Sequence, residues 1–367
     1  MKIVVFGLTI SSSWGNGHAT LWRGLTRALA ARGHRVVFFE RDVPYYAMNR
    51  DLFEIAGGEL VLYPSWEEVR ARALAEVADS DAAMVTSYCP DGIAATDLVL
   101  SSARGLTLFY DLDTPVTLSR LQRGEQLGYI GEQGLAGFDL VLSYTGGTAL
   151  AALQSQLGAR RVAPLYGHVD PEVHKPAASA SQYAADLSYL GTYAEDRQAA
   201  LEMLFVEAAR QRPDARFVIG GAQYPPDFPW ADNIFFVRHL PPSEHPAFFS
   251  SSPFSLNVTR RDMAAMGWCP SGRLFEAAAC GTALISDDWE GLSSFYAPGA
   301  EIVTARSTEE TLAALDMPEV EVKRLAKAAR ERTLAEHTSA HRAAELIALC
   351  EASWQEGEQP TLKMAEL

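Results

Sequence analysis

Four short stretches of the 367-residue sequence place reactive side chains next to turn-forming or small residues. In the first, Gly15, Asn16 and Gly17 form a glycine loop that ends in His18, and the helical pattern that follows puts His18 at a helix start. An imidazole there could act as a general base or bind substrate, or it could simply contact the helix backbone. Position alone does not decide between these interpretations.

Two further stretches follow apolar runs. Asp111 and Asp113 stand two residues apart in FYDLDTP. Such a pair could share a divalent metal ion, but it is more typical of residues that cap the next helix or turn before Pro115. Gly191 and Thr192 form a turn whose free backbone N–H groups could hold an anion.

The fourth stretch contains Glu276, a lone carboxylate in the small apolar run RLFEAAAC. Burying a carboxylate without partners is costly, so Glu276 needs hydrogen-bond donors. If this run is a helix packed on a sheet, Glu276 can face a cleft and accept hydrogen bonds from the vicinal diol of a ribose. The alternative is a helix-start acid favoured by the helix dipole. The following DWEGL turn adds backbone N–H groups beside the same site.

Alternating apolar runs and helical patterns predict the elements that position these residues. KIVVFG, a helix closed by Gly33 and RVVFFE form one strand, helix, strand unit. Similar units recur, and further apolar runs predict strands at 82–88, 105–111, 138–144, 187–193, 215–221, 233–239, 254–260 and 282–287. The predicted fold class is α/β, with two facing, doubly wound parallel-sheet domains. We place the first domain at 1–167, a linker at 168–186, the second domain at 187–335 and a returning C-terminal helix at 336–367. Ligands bind beyond the carboxyl ends of parallel strands, so the cleft between the domains is the expected site.

Composition excludes several classes of function. The 31 Lys and Arg residues against 46 Asp and Glu residues give a net charge of −15, without a basic cluster, which argues against nucleic-acid backbone binding. The four cysteines are scattered without zinc or disulfide spacing, and no long apolar run predicts a membrane span. A cytoplasmic protein is therefore expected. A dinucleotide fingerprint would need glycine at Thr20, which disfavours an NAD-dependent oxidoreductase.

Residues 257–303, NVTRRDMAAMGWCPSGRLFEAAACGTALISDDWEGLSSFYAPGAEIV, resemble the donor-binding half of the CgeB-like (spore maturation protein) glycosyltransferases, relatives of the group 1 transferases of GT-B fold. FYDLDTPVTL, HVDPEVHKP and the glycine loop ending in His18 are similar to that family too. The resemblance covers nearly the whole chain. It implies a GT-B fold of two Rossmann-like domains. It also implies sugar transfer from a nucleotide-diphosphate sugar to an acceptor, without a metal ion or a tightly bound cofactor.

The resemblance also implies roles for individual residues. Glu276 is expected to bind the donor ribose, Arg260 and Arg273 the diphosphate, and the turn from Trp289 to Leu292 the sugar. Other residues expected on the donor side are Asn257, Gly191, Thr192, Arg238, His239 and Gly291. The loop after Arg238 and His239 would contact the nucleotide base, or it is an ordinary proline-rich connection.

On the opposite side, His18 and Asp113 would contact the acceptor or the transferred sugar, and one of them would be the base. Gly15, Asn16, Gly17 and Asp111 are expected nearby. Many group 1 transferases carry a second glutamate eight residues before the ribose-binding one, where this chain has Trp268. The resemblance therefore leaves the choice between a retaining and an inverting reaction open, as it does the base, the sugar, the acceptor and the oligomeric state.

Other functions remain alternatives. A nucleotide-sugar epimerase or hydrolase of GT-B fold would use the same donor site without an acceptor. A non-catalytic nucleotide-sugar-binding protein could also keep the fold.

Overall fold

The computed structural model describes residues 1–357, which form two α/β halves, each built on its own parallel sheet. The predicted C-terminal segment 336–367 extends further, so residues 358–367 of that prediction lie outside the described part of the chain. None of the helices within residues 1–357 is long and apolar enough to cross a membrane.

The first sheet has seven strands, all parallel: β1 Lys2–Gly7, β2 Arg35–Arg41, β3 Glu59–Tyr63, β4 Ala82–Thr86, β5 Leu106–Asp111, β6 Leu140–Ser143 and β7 Val162–Pro164. Their order is β3-β2-β1-β4-β5-β6-β7. The central strands are rich in apolar residues and buried along their length, as expected for strands covered on both faces. The edge strands β3 and β7 are additions to the strands that the sequence predicts.

The second sheet has six parallel strands: β8 Leu187–Leu190, β9 Phe217–Gly221, β10 Ile234–Arg238, β11 Phe254–Asn257, β12 Ala283–Ser286 and β13 Val303–Thr304. Their order is β10-β9-β8-β11-β12-β13. The first five were predicted, and the two-residue edge strand β13 was not.

Helices fill the connections between the strands. Those in the first half are α1 Gly17–Ala31, α2 Pro44–Ala47, α3 Trp66–Ala78, α4 Gly92–Ser102, α5 Thr114–Gln122 and α6 Thr148–Leu157. Those that follow are α7 Gln198–Leu201, α8 Glu207–Gln211, α9 His245–Ser250, α10 Arg261–Met266, α11 Gly272–Ala279, α12 Thr308–Leu315, α13 Glu319–Glu336 and α14 Ser339–Gly357. A π-helical segment, Glu202–Val206, joins α7 to α8.

The C-terminal helix α14 belongs to the core of the first half. Its residues Leu346 and Cys350 lie in the same buried apolar cluster as Trp22 and Leu25 of α1. The chain therefore crosses between the halves twice, once through residues 168–186 and once before α14. Residues 168–186 contain no helix or strand apart from an isolated bridge between Val169 and Thr338.

The strand orders fix where the two halves can bind a ligand. In each sheet the order reverses beside the first strand, between β1 and β4 and between β8 and β11. Loops that leave neighbouring strands at such a point run to opposite faces and open a crevice at the carboxyl ends. The two crevices face each other and share one cavity.

Candidate active site

A cavity of about 400 Å³ lies between the two halves, within the size range of small-molecule sites. Its first wall comes from the loops after β1, β4 and β5, and its second wall from the loops after β8, β9, β10 and β11 together with α11. Most of the residues that the sequence singles out line it: Gly15, Asn16, Gly17, His18, Asp113, Gly191, Thr192, His239, Arg260, Arg273 and Glu276.

His18 and Asp113 meet on the first wall. Asn16 caps α1 by accepting a hydrogen bond from the His18 backbone N–H at 3.0 Å, which fixes His18 in the first turn. The ring Nε2 of His18 is 3.8 Å from Asp113 Oδ2. Burial lowers the pKa of His18 below its ordinary value, and the charge of Asp113 partly opposes this shift. The imidazole is therefore neutral near pH 7 and able to accept a proton.

Asp113 does not act as a helix cap, the role that its sequence context favours. It occupies the N-cap position of α5, but its side chain makes no capping hydrogen bond and lines the cavity instead.

Asp111 lies beneath the first wall rather than on the acceptor side where it was expected. It is fully buried, and its Oδ1 accepts hydrogen bonds from the Asp113 backbone N–H and from Thr117 Oγ1, both at 3.1 Å. Burial raises the pKa of Asp111 to about 6. Asp111 is the last residue of β5, and its side chain points into the fold and not towards the cavity. It positions the turn that carries Asp113.

Tyr88 is a first-wall residue that sequence reasoning missed. It follows β4, lines the cavity and has a backbone φ of 64°, a conformation that is strained for a bulky side chain. Its ring centroid is 5.9 Å from that of His18, and its hydroxyl interacts with Asp113. The only signal in the sequence was its place at the end of a predicted strand run, 82–88.

Glu276 lies on the second wall, in α11, with 8% of its surface exposed. Within residues 1–357 its carboxylate accepts no protein hydrogen bond shorter than 3.5 Å, and His245 Nδ1 is 3.7 Å from Oε2. Burial alone would raise the pKa of Glu276, but His174, His245 and Arg273 outweigh it and lower the pKa to about 2. The second wall thus presents an ionised carboxylate with unused acceptor capacity.

Three guanidinium groups surround the same part of the cavity. Arg273 points across the cleft, with Nη1 3.9 Å from the position that a Cβ atom on Gly17 would occupy. Its Nε is buried without a partner, and its side chain makes no ion pair in the described chain. Arg260 Nε donates to Asp196 Oδ2 at 2.9 Å. Arg197, which the sequence did not indicate, donates to Tyr189 Oη at 3.0 Å.

Three predicted donor residues do not offer the expected groups to the cavity. The Gly191 N–H donates to the Gly220 carbonyl at 2.9 Å, so it is not available to a phosphate, whereas the Thr192 N–H makes no hydrogen bond within residues 1–357. Asn257 is buried and donates to Ser286 Oγ at 3.0 Å. Arg238 lies exposed at the end of β10, outside the cavity lining.

The turn from Trp289 to Leu292 also lies outside the cavity. Trp289 and Leu292 are buried in an apolar cluster of the second half, and Gly291 packs on the ring of Trp268. The same Trp268 ring lies against Gly147 of the first half, and the Gly146 N–H donates to the Trp268 carbonyl at 3.0 Å. The tryptophan that replaces the expected glutamate thus joins the two halves instead of touching the cavity.

All four non-glycine residues with positive φ in the described chain lie around the cleft. Tyr88 and His239 line the cavity, and the His239 ring packs at an interplanar angle of 43° against Trp14 of the opposite half, at a centroid distance of 3.9 Å. Gln223 donates across the cleft to Tyr45 Oη at 3.3 Å, and Trp268 contacts both halves as described above. Strained backbone of this kind clusters at functional sites.

One group of His, Cys, Asp and Glu side chains within residues 1–357 has the spacing to hold a metal ion. It consists of His174, His245 and Glu276.

Comparison with known proteins shows which family and which structures the chain is similar to. Residues 197–348 match the sequence model of a family described as glycosyl transferase-like. No curated protein sequence matches the chain.

Solved structures share the whole fold at low sequence identity. A sucrose-phosphate synthase from Thermosynechococcus elongatus is 15% identical with a TM-score of 0.69, and the match covers 97% of this chain and 99% of the other. Anabaena HepE, in complex with UDP and glucose, is 11% identical with a TM-score of 0.66 over 96% and 100%. An alpha-glucosyltransferase bound to UDP and DNA is 14% identical with a TM-score of 0.68 over 96% and 99%. The predicted two-domain GT-B architecture is confirmed.

Proposed function

We propose that the chain is a glycosyltransferase of the GT-B fold that transfers a sugar from a nucleotide-diphosphate sugar to an acceptor hydroxyl. The observation that carries this proposal is Glu276, an ionised, buried carboxylate that faces the cavity and whose neighbour His245 Nδ1 is 3.7 Å away, beyond hydrogen-bond distance. A ribose supplies two neighbouring hydroxyl groups that can donate to one carboxylate. A bound nucleotide would thereby supply the hydrogen-bond donors that this buried carboxylate requires.

The arginines of the second wall would bind the diphosphate. Arg273 is the strongest candidate because its guanidinium is unpaired and directed into the cleft. Arg260 and Arg197 stand beside it, and the Thr192 N–H adds a neutral donor. Positive groups fixed at this place stabilise the negative charge that develops on the diphosphate as the sugar leaves. We propose that these groups, rather than a divalent ion on the diphosphate, balance that charge.

The first wall would activate the acceptor. His18 takes the proton of the attacking hydroxyl through Nε2, because burial keeps its imidazole neutral. Asp113, 3.8 Å away, stabilises the imidazolium that forms. Tyr88 holds Asp113 in place from the other side.

We further propose that the enzyme is a CgeB-like transferase that works in the cytoplasm. The block 257–303 and HVDPEVHKP support the subfamily, and four buried cysteines without disulfide bonds fit a reducing compartment. UDP is the first nucleotide to test, since it is bound in the HepE and alpha-glucosyltransferase structures.

Calorimetry with UDP, GDP, dTDP and NAD tests the donor class. We expect a nucleoside diphosphate to bind, and Glu276→Gln to weaken that binding by about 10- to 100-fold, the value of one hydrogen bond to a charged group. Glu290→Gln, at an exposed glutamate near the same wall, is the matched control and should leave the affinity unchanged.

Turnover of the corresponding sugar donor with a panel of hydroxyl acceptors, in the presence of EDTA, then tests transfer. Binding of NAD alone would contradict the proposal. Hydrolysis or epimerisation of the donor without any transfer would favour the non-transferring enzymes.

A further inference from the structure

Three buried side chains from separate segments meet behind the second wall. His174 comes from the segment between the halves, His245 is the first residue of α9, and Glu276 belongs to α11. Their potential ligand atoms all lie within 4.8 Å of one another. His174 Nε2 is 3.4 Å from His245 Nδ1, which in turn is 3.7 Å from Glu276 Oε2.

The Leu240 carbonyl orients the His245 ring. His245 Nε2 is 3.3 Å from this oxygen, which can only accept a hydrogen bond, so Nε2 donates to it. The other ring nitrogen, Nδ1, then faces the carboxylate of Glu276 at 3.7 Å.

His174 adds the third ligand atom. Its Nε2 lies 3.4 Å from His245 Nδ1, and its buried Nδ1 has no hydrogen-bond partner within residues 1–357. Two ring nitrogens and one carboxylate oxygen are thus buried side by side.

We propose that His174, His245 and Glu276 bind a divalent transition-metal ion of the zinc class. A tetrahedral ion with bonds of about 2.0–2.2 Å holds its ligand atoms about 3.3 Å apart, close to the observed 3.4 and 3.7 Å. Two imidazoles and one carboxylate are ligands that such ions prefer. The Leu240 carbonyl fixes the orientation of the His245 ring, as outer partners of metal-bound histidines commonly do.

The position of the cluster leaves one coordination site open. His245 and Glu276 line the cavity, whereas His174 lies behind them, outside the lining. An ion can therefore enter through the cleft, and its fourth position faces the cavity. Arg273 is the positive group that acts on Glu276 from the other side, and the ion adds to that charge.

The metal would compete with the donor for Glu276. This consequence rests on the proposed function, since it requires the ribose diol to use both carboxylate oxygens. An ion bound to Oε2 leaves only Oε1 for the ribose. The loss of one hydrogen bond to a charged group should weaken nucleotide binding by about tenfold or more. The ion would thus act as an inhibitor rather than as a cofactor.

Titration of the metal-free protein with Co²⁺ tests the site directly. We expect one ion per chain, with the strong visible absorption of a four-coordinate complex, displaced by Zn²⁺. His174→Phe should weaken Co²⁺ binding by at least about 100-fold, the upper end of the effect of removing an outer partner. His239→Gln removes a cavity histidine outside the cluster and should leave Co²⁺ binding unchanged. Absence of stoichiometric binding, or equal binding by the His174→Phe variant, overturns the proposal.

A crystal soaked in Co²⁺ gives a second test that does not depend on how a variant folds. Anomalous scattering should place the ion between the three named atoms, and an ion anywhere else contradicts the assignment. UDP calorimetry separates this proposal from the proposed function. If UDP binds but Co²⁺ does not, only the metal site is wrong. If Co²⁺ binds but no nucleotide does, only the donor site is wrong. If both bind without competition, the inhibitory role is wrong.

Discussion

The two walls of the cleft handle charge in opposite ways. On the first wall, His18, Asp113 and Tyr88 interact with one another, and Asp111 supports the turn from below. On the second wall, Glu276 and Arg273 both line the cavity and make no hydrogen bond or ion pair with each other within residues 1–357, and Arg273 Nε is buried without a partner. The first-wall groups interact with one another, and only His18 Nδ1 and Asp111 Oδ2 among them are buried without a partner, whereas the second wall presents a cation and a carboxylate that a ligand can complete.

We therefore expect the two walls to have different roles. A network whose members hold each other in place keeps a proton acceptor in a fixed position and protonation state. Unpaired charges fixed in a protein cleft bind a ligand of opposite or complementary polarity without first breaking internal contacts. Changes on the first wall should therefore reduce turnover, and changes on the second wall should reduce donor affinity.

The largest expected effect is that of His18→Gln on turnover. Glutamine keeps a polar side chain at the start of α1 but cannot take a proton, so kcat should fall by about 10²- to 10⁴-fold. The affinity for UDP, measured by calorimetry, should not change, because the role proposed for His18 is on the acceptor side. His34→Gln, near the N-terminus and away from the cleft, is the control. A parallel loss of UDP affinity would contradict the separate roles expected for the two walls.

Asp113→Asn sharpens the same prediction through the pH dependence of kcat/KM. The charge of Asp113 raises the pKa of His18 against the effect of burial, so its removal lowers that pKa further. A neutral His18 then persists to lower pH, and the acid limb of the profile should move to lower pH. Complete loss of activity at every pH would instead identify Asp113 as the base.

The next largest effect is expected for Arg273→Ala on the second wall. Because this guanidinium has no protein partner, its full interaction is available to the diphosphate, and its loss should weaken UDP binding by about 10- to 100-fold. Uridine, which lacks the diphosphate, should bind the variant as it binds the wild-type protein. Arg260→Ala should weaken UDP binding less than Arg273→Ala does, because Arg260 is already paired with Asp196. An equal loss for uridine would show that Arg273 only maintains the structure.

The sequence predicted the second wall through a local signal. A carboxylate in RLFEAAAC is unusual enough to require a partner, and the helix and strand around it are apolar and close in sequence. The same reasoning failed for the turn from Trp289 to Leu292. Whether a turn beside a strand end faces the cleft depends on how the Trp268 ring packs between Gly147 and Gly291, which are far apart in sequence.

The first wall was predicted in its members but not in its connections. His18 and Asp113 were named because both follow predicted strands, but their contact joins the loops after β1 and β5 and depends on the strand order. Tyr88 carries no sequence signal because a positive φ is imposed by the surroundings and not by tyrosine itself. The edge strands β7 and β13 were missed because they have only three and two residues.

The smallest expected effect concerns the support beneath the first wall. Burial raises the pKa of Asp111 to about 6 in the folded protein, above its value in the unfolded chain. The folded state therefore binds this proton more tightly, so the contribution to stability is present below about pH 4 and is lost as the pH rises through 6. Between pH 4 and 6 the loss should be about 2 kcal/mol.

Asp111→Asn removes this titration and keeps an oxygen that can accept from the Asp113 N–H and from Thr117. The difference in unfolding free energy, variant minus wild type, should rise by that amount between pH 4 and 6 in urea titrations. Asp97→Asn, at an exposed position in α4, should give a difference that does not vary with pH. If the difference in unfolding free energy for Asp111→Asn also does not vary with pH, Asp111 is not desolvated as its burial requires. Water would then solvate the Asp111 carboxylate beneath the first wall, as the ligand is expected to complete the polar groups of the second wall.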